Sequence, residues 1–294
     1  MATLIQNSDP KEPGGSRPAS ALRRFSSNKA AFISMVFLLL VLSVALMGTW
    51  LTPSDPYGVD TAVRLQGPSW AHWLGTDALG RDTLSRLIIG SRTSLTAVAI
   101  AVGIALVLGV ALGLIAGGGG RFLDAPLSRF MDGLLSLPPL VLALAVIGAL
   151  GPGLTNAMIA VGLVSSPRFF RLARAASASA RKELYVEALT ALGCSRSRIL
   201  LKHVVPNASG PLLVESSVAA GHAVMAEAGL SFLGLGARPP IPSWGGMVQG
   251  GFAYIYDSSF ALIPPAVAIV VTVLAFMYVA DGLRDVVAGR RSQR

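Results

Sequence analysis

The 294-residue sequence predicts an all-α integral membrane protein with six transmembrane helices. Composition is the first observation behind this: 53% of residues are hydrophobic and 13% charged, with a mean hydropathy of +0.63, where a soluble domain carries about 25% charged residues. The second is arrangement, because the apolar residues gather into runs near the roughly 20 residues that cross a bilayer. The third is that Lys and Arg fall mainly on one side of the alternating loops those runs create.

The runs occupy 30–51, 93–117, 131–151, 155–173, 211–232 and 260–281. Before the first lie Pro-, Gly- and Ser-rich residues ending in Arg23, Arg24 and Lys29. This leader and its apolar run are longer than those of a cleaved signal peptide, so the run reads as a retained anchor and residues 1–28 as a disordered cytoplasmic N-terminus. Gly151-Pro152-Gly153 makes the turn between the third and fourth runs. Pro138, Pro139, Pro264 and Pro265 predict bends that neighbouring helices can satisfy.

With the N-terminus inside, the cytoplasmic side receives Arg121 and Arg129, the cluster Arg168 to Lys202, and Arg284, Arg290, Arg291 and Arg294. The outer side keeps Arg64, Arg81, Arg86, Arg92 and Arg238 among several Asp residues. Both termini are thus expected in the cytoplasm. The organisation predicted is a first helix and outer segment over 29–92, a five-helix core over 93–284 and a tail over 285–294. Cys194 is the only cysteine, which excludes an intramolecular disulfide and a cysteine-only metal cluster.

The basic segment 181–207 predicts two short helices with a sharp corner. Lys182 to Leu192 contains good helix formers, with Leu184, Ala188, Ala191 and Leu192 near one face. Gly193 supplies a left-handed cap, Ser195 caps the second helix and Pro206 stops it. Ile199, Leu200, Leu201 and Val204 offer an apolar surface beside Arg198, Lys202 and His203. An amphipathic loop on anionic lipid is one reading. A DNA-binding helix-turn-helix is another, and it fails because the flanking membrane runs leave no third helix to complete its core.

A third reading comes from resemblance. Glu187-Ala188-Leu189, then Gly193, Ile199 and Pro206, resembles the EAA loop of permease subunits in binding-protein-dependent ABC importers, with Leu189 at the second alanine of the pattern. HWLGTDALGRDTLSRLIIGSRTSL at 72–95, EAGLSFLGLGARPPIPSWGGMV at 227–248 and AFMYVADGLRDVV at 275–287 resemble segments of the C-subunit branch of dipeptide, oligopeptide and nickel importers. Trp73 stands where that branch usually has proline. The resemblance implies a type I importer permease fold in a bacterial inner membrane. It also implies that Glu183, Tyr185, Glu187, Ala188, Gly193, Ser195, Ile199 and Pro206 form a coupling helix against an ATPase. The implied partners are a second permease, two cytoplasmic ATPase subunits that bind the ATP and Mg, and a periplasmic or lipid-anchored substrate-binding protein. No cofactor is expected on this chain.

In the outer segment, Gly75, Asp77, Gly80, Arg81 and Asp82 predict a turn closed by an Asp–Arg pair, beside Trp70-Ala71-His72-Trp73 at the interface. That turn either fixes the approach to the second span or helps receive substrate. Pro239, Pro240, Pro242 and Trp244 predict a second, stiff outer loop. Glu215, His222 and Glu227 in the fifth run are candidates for lining a path, since ionisable groups inside a membrane helix raise a functional question. They lack the HExxH spacing of a metal site, and Glu227 is expected near the outer end, where water or a helix terminus can satisfy it. No lysine follows a glycine, so GxxxxGK[ST] cannot occur, and GxSxG is also absent. The expected protein is a non-catalytic permease; an ion-coupled transporter using Glu215 or Glu227 is the alternative from another class.

Overall fold

A computed structural model describes residues 25–291, with side chains through 288. Expectations for residues 1–24 and for the end of the tail lie outside the described residues. The described chain is helical, apart from an isolated Thr76–Asp82 bridge and loops. Helix α1 spans Lys29–Leu51, α2 Thr83–Gly119, α3 Arg121–Ser136, α4 Pro139–Leu150 and α5 Leu154–Ala180. Then come α6 at Leu184–Ala191, α7 at Arg196–Ile199, α8 at Val205–Phe232, α9 at Trp244–Phe252 and α10 at Ile263–Arg291.

Helix α1 starts where Asn28 accepts a hydrogen bond from the Ala31 N–H and donates to Asp285 of α10. Small residues on its buried face, Ala31, Ser34, Ala45 and Gly48, allow close approach to α2 and α10. The start of α2 differs from the expected 93: the helix begins ten residues earlier, because the Asp82 side chain caps it by accepting from the Ser85 N–H at 2.8 Å. Arg86 and Arg92 dilute the hydropathy of those extra turns. At 37 residues, α2 is about 55 Å long and outreaches a hydrocarbon core of about 30 Å.

The run expected as one span at 131–151 is broken. Pro138 disfavours the α region for the residue before it, so Leu137 is extended (φ −93°, ψ 142°), and α3 meets α4 at 100°. Pro139 is tolerated as the first residue of α4 because that position has no intrahelical N–H bond to make. By length and apolar composition, α1, α2 and α10 can each cross a membrane, and the bent α3–α4 pair passes the same test only when its two helices are taken together, as a broken span or a re-entrant loop. The expected six spans therefore exceed what apolar length alone supports. Helices α5 and α8 are 27 and 28 residues long but carry Arg168, Arg171 and Arg174 in one and Ser, Gly and Glu in the other.

The tightest packing joins α2 to α5. On α2, a Cβ added at Gly109, Gly113 or Gly117 would lie 2.4–2.5 Å from the carbonyl oxygens of Ser166, Phe170 and Arg174. Glycine at every fourth position lets the two backbones touch, the small-residue packing of membrane helices. Pro167 interrupts α5 and cannot bond the Leu163 carbonyl; the Ser166 hydroxyl donates to it instead at 2.8 Å. Ala97, Ala101, Ala157, Met158, Ala223 and Val224 continue the core between α2, α5 and α8.

Candidate functional site

The corner in 181–207 is present. After α6, Gly193 takes φ +78° in the left-handed region, the Cys194 N–H bonds the Leu189 carbonyl, and the Gly193 N–H bonds that of Thr190. These paired bonds are a Schellman cap, which a Cβ at Gly193 would disfavour. Glu183 precedes α6 without a side-chain cap bond, and Ser195 occupies the N-cap position of α7 but likewise makes none, against expectation. Pro206 does not stop the second helix. Leu200–Val204 widens into a π-helical turn, the Val205 N–H bonds the Leu200 carbonyl, and helix continues as α8 with Pro206 in its first turn. A helical path thus runs from Arg196 to Phe232.

Helix α6 touches the rest of the chain lightly. Val186 is its buried residue, whereas Leu184 and Leu192 are each 82% exposed. Glu187 and Ala188 are exposed too, and Tyr185 rests its ring 6.0 Å from that of His203. Between this module and the inner ends of α2 and α5 lies a cavity of about 480 Å³, bordered by Glu187, Arg181 and Arg196. Ile199 is 5% exposed and anchors the corner. The arrangement holds α6 out from the bundle with two leucines and a carboxylate available to a neighbour.

In the outer segment, Asp77 accepts from the N–H groups of Leu79 and Arg81 and from Arg81 Nε at 2.7 Å. Arg86 Nε lies 3.4 Å from the same carboxylate. Gly75 and Gly80 both have left-handed φ, and a Cβ at Gly80 would fall 1.7 Å from the Asp60 carbonyl oxygen. Asp82 pairs with His72 at 3.0 Å as well as capping α2, so the whole turn is tied to the helix it introduces. Pro239, Pro240 and Pro242 lie in a loop as expected, whereas Trp244 opens a helix, α9: Ser243 caps it, and Trp244 is buried with its indole N–H on the Leu87 carbonyl.

The three candidates in α8 do not converge. Arginine can only donate, so the 3.0 Å contact from Arg168 to His222 Nδ1 fixes the histidine proton on Nε2. This pair edges an apolar cavity of about 340 Å³ at the α3–α4 bend. Glu215 lies two turns away with one carboxyl oxygen buried and unbonded. Glu227 is elsewhere and is fully buried, not water-satisfied as expected from its position near the helix end. Ser231 donates to it at 2.7 Å and Ser94 of α2 at 3.2 Å, and the Trp244 N–H of α9 donates to the same Ser94 hydroxyl at 3.2 Å. Glu227 therefore joins α2, α8 and α9. Glu227→Gln should preserve this junction, since an amide can accept from and donate to hydroxyls. Glu227→Leu should strand buried serines at a cost of about 1–3 kcal/mol each. Thermal denaturation in detergent should show a drop of several degrees for the leucine variant alone.

Residues 109–293 match the family described as binding-protein-dependent transport system inner membrane component, and residues 17–68 match the N-terminal TM domain of oligopeptide transport permease C. The dipeptide transport system permease protein DppC of Alkalihalophilus pseudofirmus is 38% identical, covering 90% of this chain and 87% of that protein. The probable D,D-dipeptide transport system permease protein DdpC of Escherichia coli is 40% identical, covering 86% and 85%. The glutathione transport system permease protein GsiD of Pectobacterium atrosepticum is 38% identical over 90% and 88%. Among solved structures, the MetNI methionine ABC transporter in an inward-facing conformation aligns with a TM-score of 0.54 at 19% identity, covering 68% of this chain and 96% of that one, a likeness of fold. The chain belongs to the family of binding-protein-dependent transport system inner membrane components, the permease subunits of ABC importers.

Proposed function

We propose that this permease subunit carries peptides inward, pairing with a second permease to form the path. Two cytoplasmic ATPase subunits bind the ATP and Mg and carry out hydrolysis, and an extracytoplasmic binding protein delivers the substrate. The observation that carries the mechanism is the α6–α7 corner, where Leu184 and Leu192 stand exposed on a helix held away from its own bundle. Exposed leucines beside a carboxylate on the side rich in Arg and Lys suit docking into a groove of an ATPase. The names of the relatives, which specify dipeptide, D,D-dipeptide and glutathione transport, support small peptides as the substrate class.

ATP binding closes the ATPase pair, and the closed pair holds α6 more tightly in one arrangement of the permeases than in the other. That differential contact is what lets a nucleotide shift the equilibrium between inward-open and outward-open states. The path opens toward the loaded binding protein, and hydrolysis resets it. In this reading both termini face the cytoplasm and the membrane is the bacterial inner one, consistent with the Lys and Arg distribution. Proteoliposomes containing the whole transporter test it: dipeptide uptake should require ATP and binding protein and survive collapse of the proton gradient. Uptake that needs the gradient and not ATP would establish ion coupling through Glu215 or Glu227 instead.

A further inference from the structure

The outer side retains few arginines, and three of them gather at one place. A cavity of about 110 Å³ lies between the 77–82 turn and helix α9, walled by Asp77, Arg81, Thr83, Arg86, Gly250 and Tyr254. Arg64 stacks on the Tyr254 ring, its guanidinium carbon 5.3 Å from the centroid. Arg86 is only 7% exposed; it reaches Asp77 through Nε and the Pro56 carbonyl through Nη1. Arg81 holds Asp77 through Nε. Two guanidiniums thus face one carboxylate within the wall. The Thr83 hydroxyl, 1% exposed, has no hydrogen-bond partner there.

Buried hydroxyls and guanidinium forks are normally satisfied, and this wall offers one carboxylate to two guanidiniums and no partner to the Thr83 hydroxyl. We propose that the cavity receives the carboxylate of an Asp or Glu side chain carried on the surface of the docked substrate-binding protein. This rests on the reading above, that a binding protein serves this chain. The space is large enough for a carboxyl head with its waters. The chemistry also fits, because a carboxylate can accept from Arg81, Arg86 and the Thr83 hydroxyl together, each a charge-assisted bond. Within the wall two guanidiniums stand against the single Asp77 carboxylate, a local imbalance that a second carboxylate would offset.

The test uses the whole transporter in proteoliposomes, with ATP hydrolysis followed against the concentration of dipeptide-loaded binding protein. Gly250→Leu fills the cavity from a position where an added Cβ meets nothing within 4 Å. Arg81→Gln removes one charge, and Arg81→Lys retains it. The concentration of binding protein giving half-maximal hydrolysis should rise at least about tenfold in Gly250→Leu and Arg81→Gln, the loss expected for one charged hydrogen-bonded contact, and less in Arg81→Lys. Neutralising surface carboxylates of the binding protein one at a time should reproduce the shift at one position, with no further shift in the Gly250→Leu background. Half-saturation within twofold of wild type in both variants overturns the proposal, as does failure of every neutralised carboxylate to reproduce it. A shift that vanishes with a C-terminally amidated dipeptide assigns the carboxylate to the substrate and also overturns it. Wild-type hydrolysis that ignores the binding protein fails the functional reading itself, and the proposal with it.

Discussion

Gly113→Leu should remove most of the folded chain from detergent extracts, while Gly103→Leu on the same helix leaves its amount near wild type. At Gly113 an added Cβ would lie 2.5 Å from the Phe170 carbonyl oxygen and 2.8 Å from the Ala173 Cβ, so backbone stands in the way. At Gly103 nothing lies within 4 Å. Core overpacking costs about 1–3 kcal/mol where side chains can shift, and here α2 and α5 must separate along their length. Against a total stability of about 5–15 kcal/mol, that separation is close to decisive. Recovery of monodisperse protein by size exclusion and the melting temperature both read the effect. Equal melting temperatures for the two variants would show that the glycine contact is not what holds α2 to α5.

The second large effect is expected at the corner. Gly193→Val should insert and melt like wild type yet lose most ATP-driven uptake, and Gly193→Asn should retain it. The reasoning separates conformation from packing: a Cβ at Gly193 meets no atom within 4 Å, but φ is +78°. Valine is strained there by about 1–3 kcal/mol, whereas asparagine tolerates the left-handed region. The strain is relieved by opening the Schellman cap, which reorients α6 relative to α7. Glu187→Lys should likewise reduce uptake, by reversing charge on the exposed face of α6. Uptake and binding-protein-stimulated ATP hydrolysis should fall together in Gly193→Val. Unchanged uptake in both Gly193→Val and Glu187→Lys would remove the corner from the coupling mechanism.

Local chemistry made much of this legible in the sequence. Apolar runs marked the long helices, Gly193 marked a left-handed cap, and Asp77 with Arg81 marked a closed turn. Other features depended on contacts that periodicity does not encode. Asp82 was a readable cap, yet Arg86 and Arg92 hid the first turns of α2: the Arg86 charge is met by Asp77 and the Pro56 carbonyl, and Arg92 is exposed. Pro206 looked like a stop, and the π-turn before it removes the conflict by shifting the bonding register. Gly109, Gly113 and Gly117 stand at regular spacing, but only the partner backbone of α5 shows what the spacing serves. Glu227 looked like an acid satisfied by water or a helix end because Ser94, 133 residues away in the sequence, could not be placed beside it.

Helix α2 contains no proline, and its two ends meet different parts of the molecule. Asp82 and Arg86 fasten its N-terminal end to the 77–82 turn, and Leu114, Ile115, Gly118 and Gly119 at its C-terminal end border the space behind the α6–α7 corner. Over a rod of about 55 Å, each degree of tilt about one end displaces the other by about 1 Å. A tilt that pivots beside the corner would therefore move the 77–82 turn most, with no residue along α2 having to change its backbone conformation.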